Sequence, residues 1–413
     1  MKTSEVIFPI FCFFVLLTCS IILPCLGSLP TSIGISSVGK IRYNNLTRLH
    51  VDGRYIRNEY GQIVYLTGIS WPDIGDTHAL FEGAGLGWSS TETERMEARI
   101  QRTLALGISF VRVQISLSCV EAGNEIILER LDYISQRFYE KGIYMLIDFH
   151  YGSTAQEWWG ELGEQALMDD HNAIIGPGWT TGYLDACKII ASRYKDNPAV
   201  VGYQNWAEPA WGEYPQEMQH YDELFYKWRD FNIAVNDAIL SVSPESLFVV
   251  MSPGYYTFKE VHPNWIDNPM PHSNVIYGLQ RYLAYDLKSS PPYPTMQQYY
   301  VDGNYEAGKA AVEQYIKHYY VDFLQHNIGP VMNTEFGFYN DLRCTQESKM
   351  AQDWYDLHKK YNAHWIQFAW GVGASHWYVL KRDAGWNPSI NYWSLTPSGE
   401  LMIQNLEPLP APP

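Results

Sequence analysis

The sequence predicts an α/β fold, a (β/α)8 TIM barrel with an N-terminal β-hairpin and long strand-following loops. Three observations carry this prediction. Short apolar runs of strand type alternate with segments whose apolar residues recur at helical spacing, the pattern of repeated βα units around a parallel sheet. Eight such runs can be marked along the chain. The 413 residues, 46% of them hydrophobic, also suit one large core, since a barrel of this kind takes about 250 residues plus its insertions.

The chain opens on Val6 to Leu26, almost wholly apolar, behind Lys2 and ahead of Gly27 and Ser28. Residues 1–27 read as an export segment. Cys25-Leu26-Gly27 offers a small-x-small cleavage site for a signal peptide, while the length of the stretch, with Pro9 and Pro24 in it, leaves an uncleaved membrane anchor as the alternative. Either form puts the bulk of the protein outside the cytoplasm, secreted or anchored at its N-terminus. Residues 28–48 form a Gly/Ser/Ile spacer, 49–407 the barrel domain and 408–413 a Pro-rich tail.

Leu49 to Gly68 reads as a hairpin expected to plug the bottom of the barrel: Leu49-His50-Val51, a turn at Asp52-Gly53, Tyr55-Ile56, a second turn at Gly61, then Ile63 to Leu66. The strand runs are Val64 to Ile69, Phe110 to Ile115, Tyr144 to Phe149, Val200 to Trp206, Leu247 to Met251, Val275 to Leu279, Pro330 to Asn333 and Trp365 to Trp370. Between them, helical faces repeat at Ile127, Leu131, Ile134 and Phe138, at Leu224, Trp228, Phe231 and Val235, and at Val312, Ile316, Tyr319 and Phe323. The fifth and eighth helices have the weakest pattern, because Tyr256 to Asn274 and the tail beyond Trp393 are rich in Pro, Asn and Ser.

A formal charge of −16 without any Lys/Arg run argues against nucleic acid or an anionic membrane surface as partner. A neutral or cationic ligand fits better. Fifteen tryptophans and thirty-one tyrosines exceed the needs of a core; rings on loops can stack on sugar faces, whereas helical ones such as Trp228 and Trp354 are expected to fill the barrel–helix space. Outside the leader only Cys119, Cys187 and Cys344 remain, enough for at most one disulfide. Cys187 shares a helical face with Ile190 and Tyr194 and reads as a buried thiol, so a bridge would join Cys119 to Cys344. Asn45-Leu46-Thr47 is a glycosylation sequon.

In such a barrel the chemistry sits where strands run into their following loops. Those positions hold Ser70, Trp71, Arg112, Asp148, His150, Glu208, Ser252, Gln280, Tyr282, Glu335 and Trp370. Glu208, in Asn205-Trp206-Ala207-Glu208-Pro209, and Glu335, in Asn333-Thr334-Glu335-Phe336-Gly337, each follow a short apolar run, where a charge is costly without a task. Neither has a cation beside it in sequence. Two carboxyls on one barrel rim are what a retaining glycosidase uses. Alternation is expected to point Asp148 away from His150.

Over roughly residues 49 to 400 the chain resembles glycoside hydrolase family 5. Leu66-Thr67-Gly68-Ile69-Ser70-Trp71 is similar to the family's first-strand LxGxNW, Gly107 to Arg112 to its GxNxVR, Leu146 to His150 to its LDxH, and Val201-Gly202-Tyr203 leading to Glu208-Pro209 to the approach to its NEP. Tyr282, Glu335-Phe336-Gly337 and Trp370 follow in the family's order. The resemblance implies double displacement, with Glu335 as nucleophile and Glu208 as acid and then base. It implies further that Arg112 and Tyr282 hydrogen-bond the nucleophile, that His150 contacts the sugar or the acid/base, and that Trp370 floors the cleavage site. Trp71, Trp158, Trp159, Trp211, Tyr214, Trp377 and Trp386 would add stacking platforms. Nothing in it calls for a cofactor or a metal, and no obligate protein partner is evident; the implied partner is a β-linked oligo- or polysaccharide.

Two positions depart from the family pattern. Ala207 stands where an Asn bonds the substrate's 2-hydroxyl, and Asn205 would replace it only across a bulge. Gln280-Arg281-Tyr282 stands where the family has HxY, and Gln280 can donate and accept hydrogen bonds but carries no charge. The expected activity is hydrolysis of a β-1,4-glucan such as cellulose, or of mannan. The alternatives are an exo-acting β-glycosidase on short glycosides, favoured if the loop Ala284 to Glu306 closes a pocket, and a carbohydrate-binding relative that has lost catalysis.

Overall fold

The computed structural model of the chain describes residues 46–72, 90–117, 125–151, 177–207, 221–252, 261–282, 294–338, 345–370, 379–382, 393–411 and 413. The N-terminal segment reads into an antiparallel hairpin, β1 (Leu49–Asp52) and β2 (Tyr55–Asn58), paired in register Leu49 to Asn58. The turn between them needs Gly53, whose φ is +57°, a conformation only glycine adopts without cost. Its neighbour Arg54 donates its N–H to Asn327 Oδ1 at 3.0 Å. Asn327 lies just ahead of a barrel strand, so the hairpin rests at the N-terminal end of the barrel, as expected.

Eight parallel strands then close on themselves. They are β3 (Thr67–Trp71), β4 (Phe110–Ser116), β5 (Tyr144–Tyr151), β6 (Val200–Asn205), β7 (Leu247–Met251), β8 (Val275–Gln280), β9 (Val331–Phe336) and β10 (His364–Gln367). The order is sequential, and β10 pairs with β3 to shut the barrel. A second antiparallel pair, β11 (Leu380–Arg382) and β12 (Trp393–Leu395), follows it and had no sequence signal. Strands pack tightly enough that a Cβ on Gly202 would stand 2.0 Å from the Leu247 carbonyl oxygen.

Helices surround the barrel: α1 (Ser90–Ala105), α2 (Glu125–Lys141), α3 (Pro177–Tyr194), α4 (Tyr221–Leu240), a single turn α5 (Asn264–Asp267), α6 (Pro294–Val301), α7 (Tyr305–Ile316), α8 (Thr345–Tyr361) and α9 (Pro397–Gln404). The sequence faces are the buried ones: Ile127, Leu131, Ile134 and Phe138 on α2, and Trp228, Phe231 and Val235 on α4, all lie in the core, as does Trp354 on α8. Cys187 is a buried thiol. Among the described residues the fifth βα unit has only the turn α5, in keeping with its Pro- and Asn-rich sequence. The eighth helix does form. Thr396 caps it, accepting from the Gly399 N–H at 3.1 Å, and Pro397 sits at its first position, where no N–H is missed.

Three strand limits depart from the sequence expectation by three residues, the others by less. The first strand starts at Thr67 rather than Val64, because Ile63 bridges back to Arg57 of the hairpin. The eighth ends at Gln367 rather than Trp370. The seventh runs on to Phe336 rather than stopping at Asn333, because Asn333, Thr334 and Glu335 all find buried polar partners and extended backbone is not penalised there.

Two buried histidines couple this fold to pH. Burial pushes His364 down to about 3, and burial pushes His358 down to about 4 against a partly offsetting bond to the Trp354 carbonyl. His364 Nδ1 accepts from the Leu66 N–H at 3.1 Å. Both are neutral in the native state, while the unfolded chain takes up protons near pH 6.5. Their stabilisation is therefore complete above about pH 6.5 and is lost as pH falls towards 4, by up to about 1.4 kcal/mol per pH unit for each histidine. Urea unfolding between pH 7 and 4 should show that slope, and His358→Phe should remove about one proton's share of it.

Candidate active site

At the C-terminal end of the barrel, period-two alternation aims polar residues of several strands into the interior. Arg112 of β4 is the centre. Its Nη1 donates to Glu335 Oε1 of β9 at 2.7 Å and lies 3.3 Å from Ser70 Oγ of β3. Its Nη2 pairs with Asp148 Oδ2 of β5 at 2.8 Å, and its Nε donates to Gln204 Oε1 of β6 at 3.0 Å. The planar guanidinium thus ties four other strands to β4, which a point-charge lysine could not do. Burial opposes its charge, yet Asp148 and Glu335 outweigh that, with a smaller share from Tyr282, and Arg112 is held more firmly protonated than an ordinary arginine.

Glu335 has a second donor: Gln114, two residues after Arg112 on the same strand face, gives its Nε2–H to Oε1 at 3.2 Å. Both contacts address one oxygen of the carboxylate. Arg112 thus serves two buried carboxylates, Asp148 and Glu335. Asp148 also meets His150 Nδ1 at 2.7 Å, against 3.3 Å from His150 Nδ1 to Arg112 Nη2. The shorter contact has Nδ1–H donate to the Asp148 carboxylate.

The inward aim of Glu335 comes from a bulge. Leu279 pairs with Asn333 and Gln280 with Glu335, and on the other side Trp365 pairs with Asn333 and Gln367 with Phe336. β9 therefore holds one residue more than either neighbour. Tyr277 packs outward on Trp265 and Phe323, so Gly278 faces inward, and Thr334 Cγ2 lies 3.4 Å from where its Cβ would be. Thr334 and Glu335 both face the interior as a result, and the bulge re-aims the carboxylate as bulges beside active sites do.

Arg112, His150 and Glu335 are brought together as anticipated, with Tyr282 close enough to Arg112 to favour its charge. Gln280 is buried, and its Nε2 donates to the Ala207 carbonyl at 3.2 Å while its Oε1 has no partner among the described residues. Other expectations are corrected. Asp148 and His150 share one face rather than opposing each other, as residues two apart on a strand must. Asn205 does not reach the site: it faces the helices, accepting from Tyr183 OH at 2.5 Å and donating to Asn232 Oδ1 at 2.9 Å. Gln204, the residue before it, is the one turned inward, onto Arg112, so alternation puts Asn205 on the outer face.

Trp71 is not a sugar platform. It is 0% exposed, edge-on to Phe138 at 5.2 Å and under the Arg99 guanidinium at 5.1 Å, because alternation puts it on the helix side with Ile69. Trp370 is 1% exposed and its ring lies 6.0 Å from that of Trp71. Gln114 and Gln204 were missed; the signal for Gln114 was its spacing of two from Arg112. Glu208, Trp158, Trp159, Trp211, Tyr214, Trp377, Trp386, Cys119, Cys344 and Asn45 lie outside the described residues, as does part of the loop Ala284 to Glu306.

The family model described as Cellulase (glycosyl hydrolase family 5) matches residues 58–374. An endoglucanase of Paenibacillus polymyxa is 22% identical over 314 residues, spanning 72% of this chain and 73% of that protein. Among solved structures, a hyperthermophilic endocellulase of Pyrococcus horikoshii aligns with a TM-score of 0.62 at 15% identity, over 88% of this chain and 99% of the other. A β-glucanase of Saccharophagus degradans in complex with cellotetraose aligns with a TM-score of 0.58 at 16% identity, over 87% and 93%.

Proposed function

The chain belongs to the cellulase family, glycosyl hydrolase family 5, and on that footing we propose that it hydrolyses a β-1,4-glucan by double displacement. The observation that carries this reading is the buried Glu335 carboxylate, bonded through Oε1 to Arg112 and Gln114 at the strand ends. Glu335 attacks the anomeric carbon while Glu208 gives its proton to the departing glycosidic oxygen. Glu208 then takes a proton from water, whose oxygen displaces Glu335 and restores both groups. Arg112 and Gln114, both bonded to Oε1, keep Glu335 oriented through both steps.

Glucan is favoured over mannan by the endoglucanase of P. polymyxa and by the cellotetraose complex of the S. degradans β-glucanase. Export is supported by the apolar stretch Val6 to Leu26. The discriminating experiment is chemical rescue. Glu208→Gly should be nearly inactive on a β-glucan bearing a poor leaving group, and on an aryl cellobioside azide should restore turnover, with a β-glycosyl azide of retained configuration as product. An α-azide, or undiminished activity of the variant without azide, would sink the assignment.

A further inference from the structure

The bulge that turns Glu335 inward has a cost at its neighbour. With one residue extra in β9, the backbone at Arg281, just past the end of β8, loses the regular ladder. The Asn333 side chain stands in for it. Asn333 Oδ1 accepts from the Arg281 N–H at 3.1 Å, and its Nδ2 donates to the Arg281 carbonyl at 3.3 Å. A carboxamide carries the same donor and acceptor as a peptide unit, so one side chain satisfies both groups. Asn333 is 0% exposed.

What it holds is the backbone between two site residues. The Arg281 N–H belongs to the peptide that joins it to Gln280, and its carbonyl to the peptide that joins it to Tyr282. From the far side, the Arg281 guanidinium lies 3.7 Å from the Tyr319 ring centroid and 4.7 Å from that of Tyr315, and its Nε bonds Tyr315 OH. The helix there passes into a π-helical turn, Lys317–Val321, a distortion common beside functional sites. Gln280 in turn donates to the Ala207 carbonyl, the peptide that leads into Glu208.

We propose that Asn333 is a positioning residue for catalysis, locking the β8 rim that carries Gln280 and Tyr282 to the β9 rim that carries Glu335. This rests on the reading of Glu335 as the reacting carboxylate. A positioning role predicts loss of turnover without loss of binding, because a displacement of about 1 Å at a reacting group can cost on the order of 10²-fold in rate.

Initial rates of cellotetraose hydrolysis and melting temperatures are measured for wild type, Glu335→Gln, Asn333→Ala, Asn333→Asp and Asn236→Ala. Asn236→Ala is the control. It breaks a partly buried side-chain amide pair, Asn236 Nδ2 to Asn274 Oδ1 at 3.0 Å and the reverse bond at 3.1 Å, at the opposite end of β8. Asn333→Ala should lower kcat roughly 10- to 100-fold with KM within about twofold, while Asn236→Ala lowers the melting temperature and leaves kcat within about twofold. Asn333→Asp, which keeps the acceptor but loses the donor, should fall between. The proposal is overturned if Asn333→Ala keeps wild-type kcat, if both alanine variants lose kcat alike, or, should Asn333→Ala not fold, if Asn333→Asp turns over like wild type. A wild type with no Glu335-dependent turnover would overturn the functional reading and this inference with it; an active wild type indifferent to Asn333 overturns this inference alone.

Discussion

Glu335→Gln should abolish hydrolysis, lowering kcat by at least on the order of 10⁴-fold, the range in which removal of a reacting residue lies. The substitution keeps the shape of the side chain and an acceptor oxygen for Arg112 and Gln114, so the lost rate is charge and nucleophilicity rather than packing. Stability should hold or rise slightly. In wild type Arg112 answers two buried carboxylates, at 2.7 Å and 2.8 Å; in the variant it answers one, and the buried excess charge disappears. Cellotetraose affinity, measured by calorimetry, should therefore persist in a protein that no longer turns over. Full activity in Glu335→Gln, or unfolding of the variant, would contradict the role given to this residue.

Arg112→Met should be the most damaging single change to folding among the site residues. It strands Asp148 and Glu335, both buried, without their cation, and breaking a buried ion pair by removing one partner costs roughly 3–5 kcal/mol. Gln204 Oε1, buried, loses its donor as well. The deficit should shrink as pH is lowered towards 5, because protonation removes the stranded charge, in contrast to wild type, whose buried histidines make it less stable in that direction. Arg112→Lys should lie between, keeping the charge but not the fork that reaches four strands. Denaturant unfolding of the three proteins at pH 7 and pH 5 tests both the size and the sign. Equal stability of Arg112→Met and wild type at pH 7 would rule out the electrostatic role.

Local chemistry made much of this site legible before any fold was known. Arg112, Asp148, His150 and Glu335 each follow or end a run of β-branched and aromatic residues, and a charge in such a place stands out whatever its partners are. Gln114 was less visible because a neutral amide two residues after an arginine resembles any other polar residue. Trp71 and Asn205 were misread for the opposite reason: each sits in a conspicuous motif at a strand end, yet its side chain belongs to the helix-facing surface, where Phe138, Tyr183 and Asn232 cover it.

By itself, then, the sequence determined which residue types stand at the strand ends and in what order, and with them the barrel and the family, because hydrophobic period and motif order are properties of contiguous chain. The tertiary structure alone decided which of those side chains meet. Facing depends on register between strands distant in sequence, and one extra residue in β9 turns both Thr334 and Glu335 inward, where the carboxylate finds Arg112 and Gln114. No local pattern encodes that residue's effect, because its cost and its compensation lie on other strands: the Arg281 backbone on one side, and on the other a guanidinium contributed from 223 positions earlier.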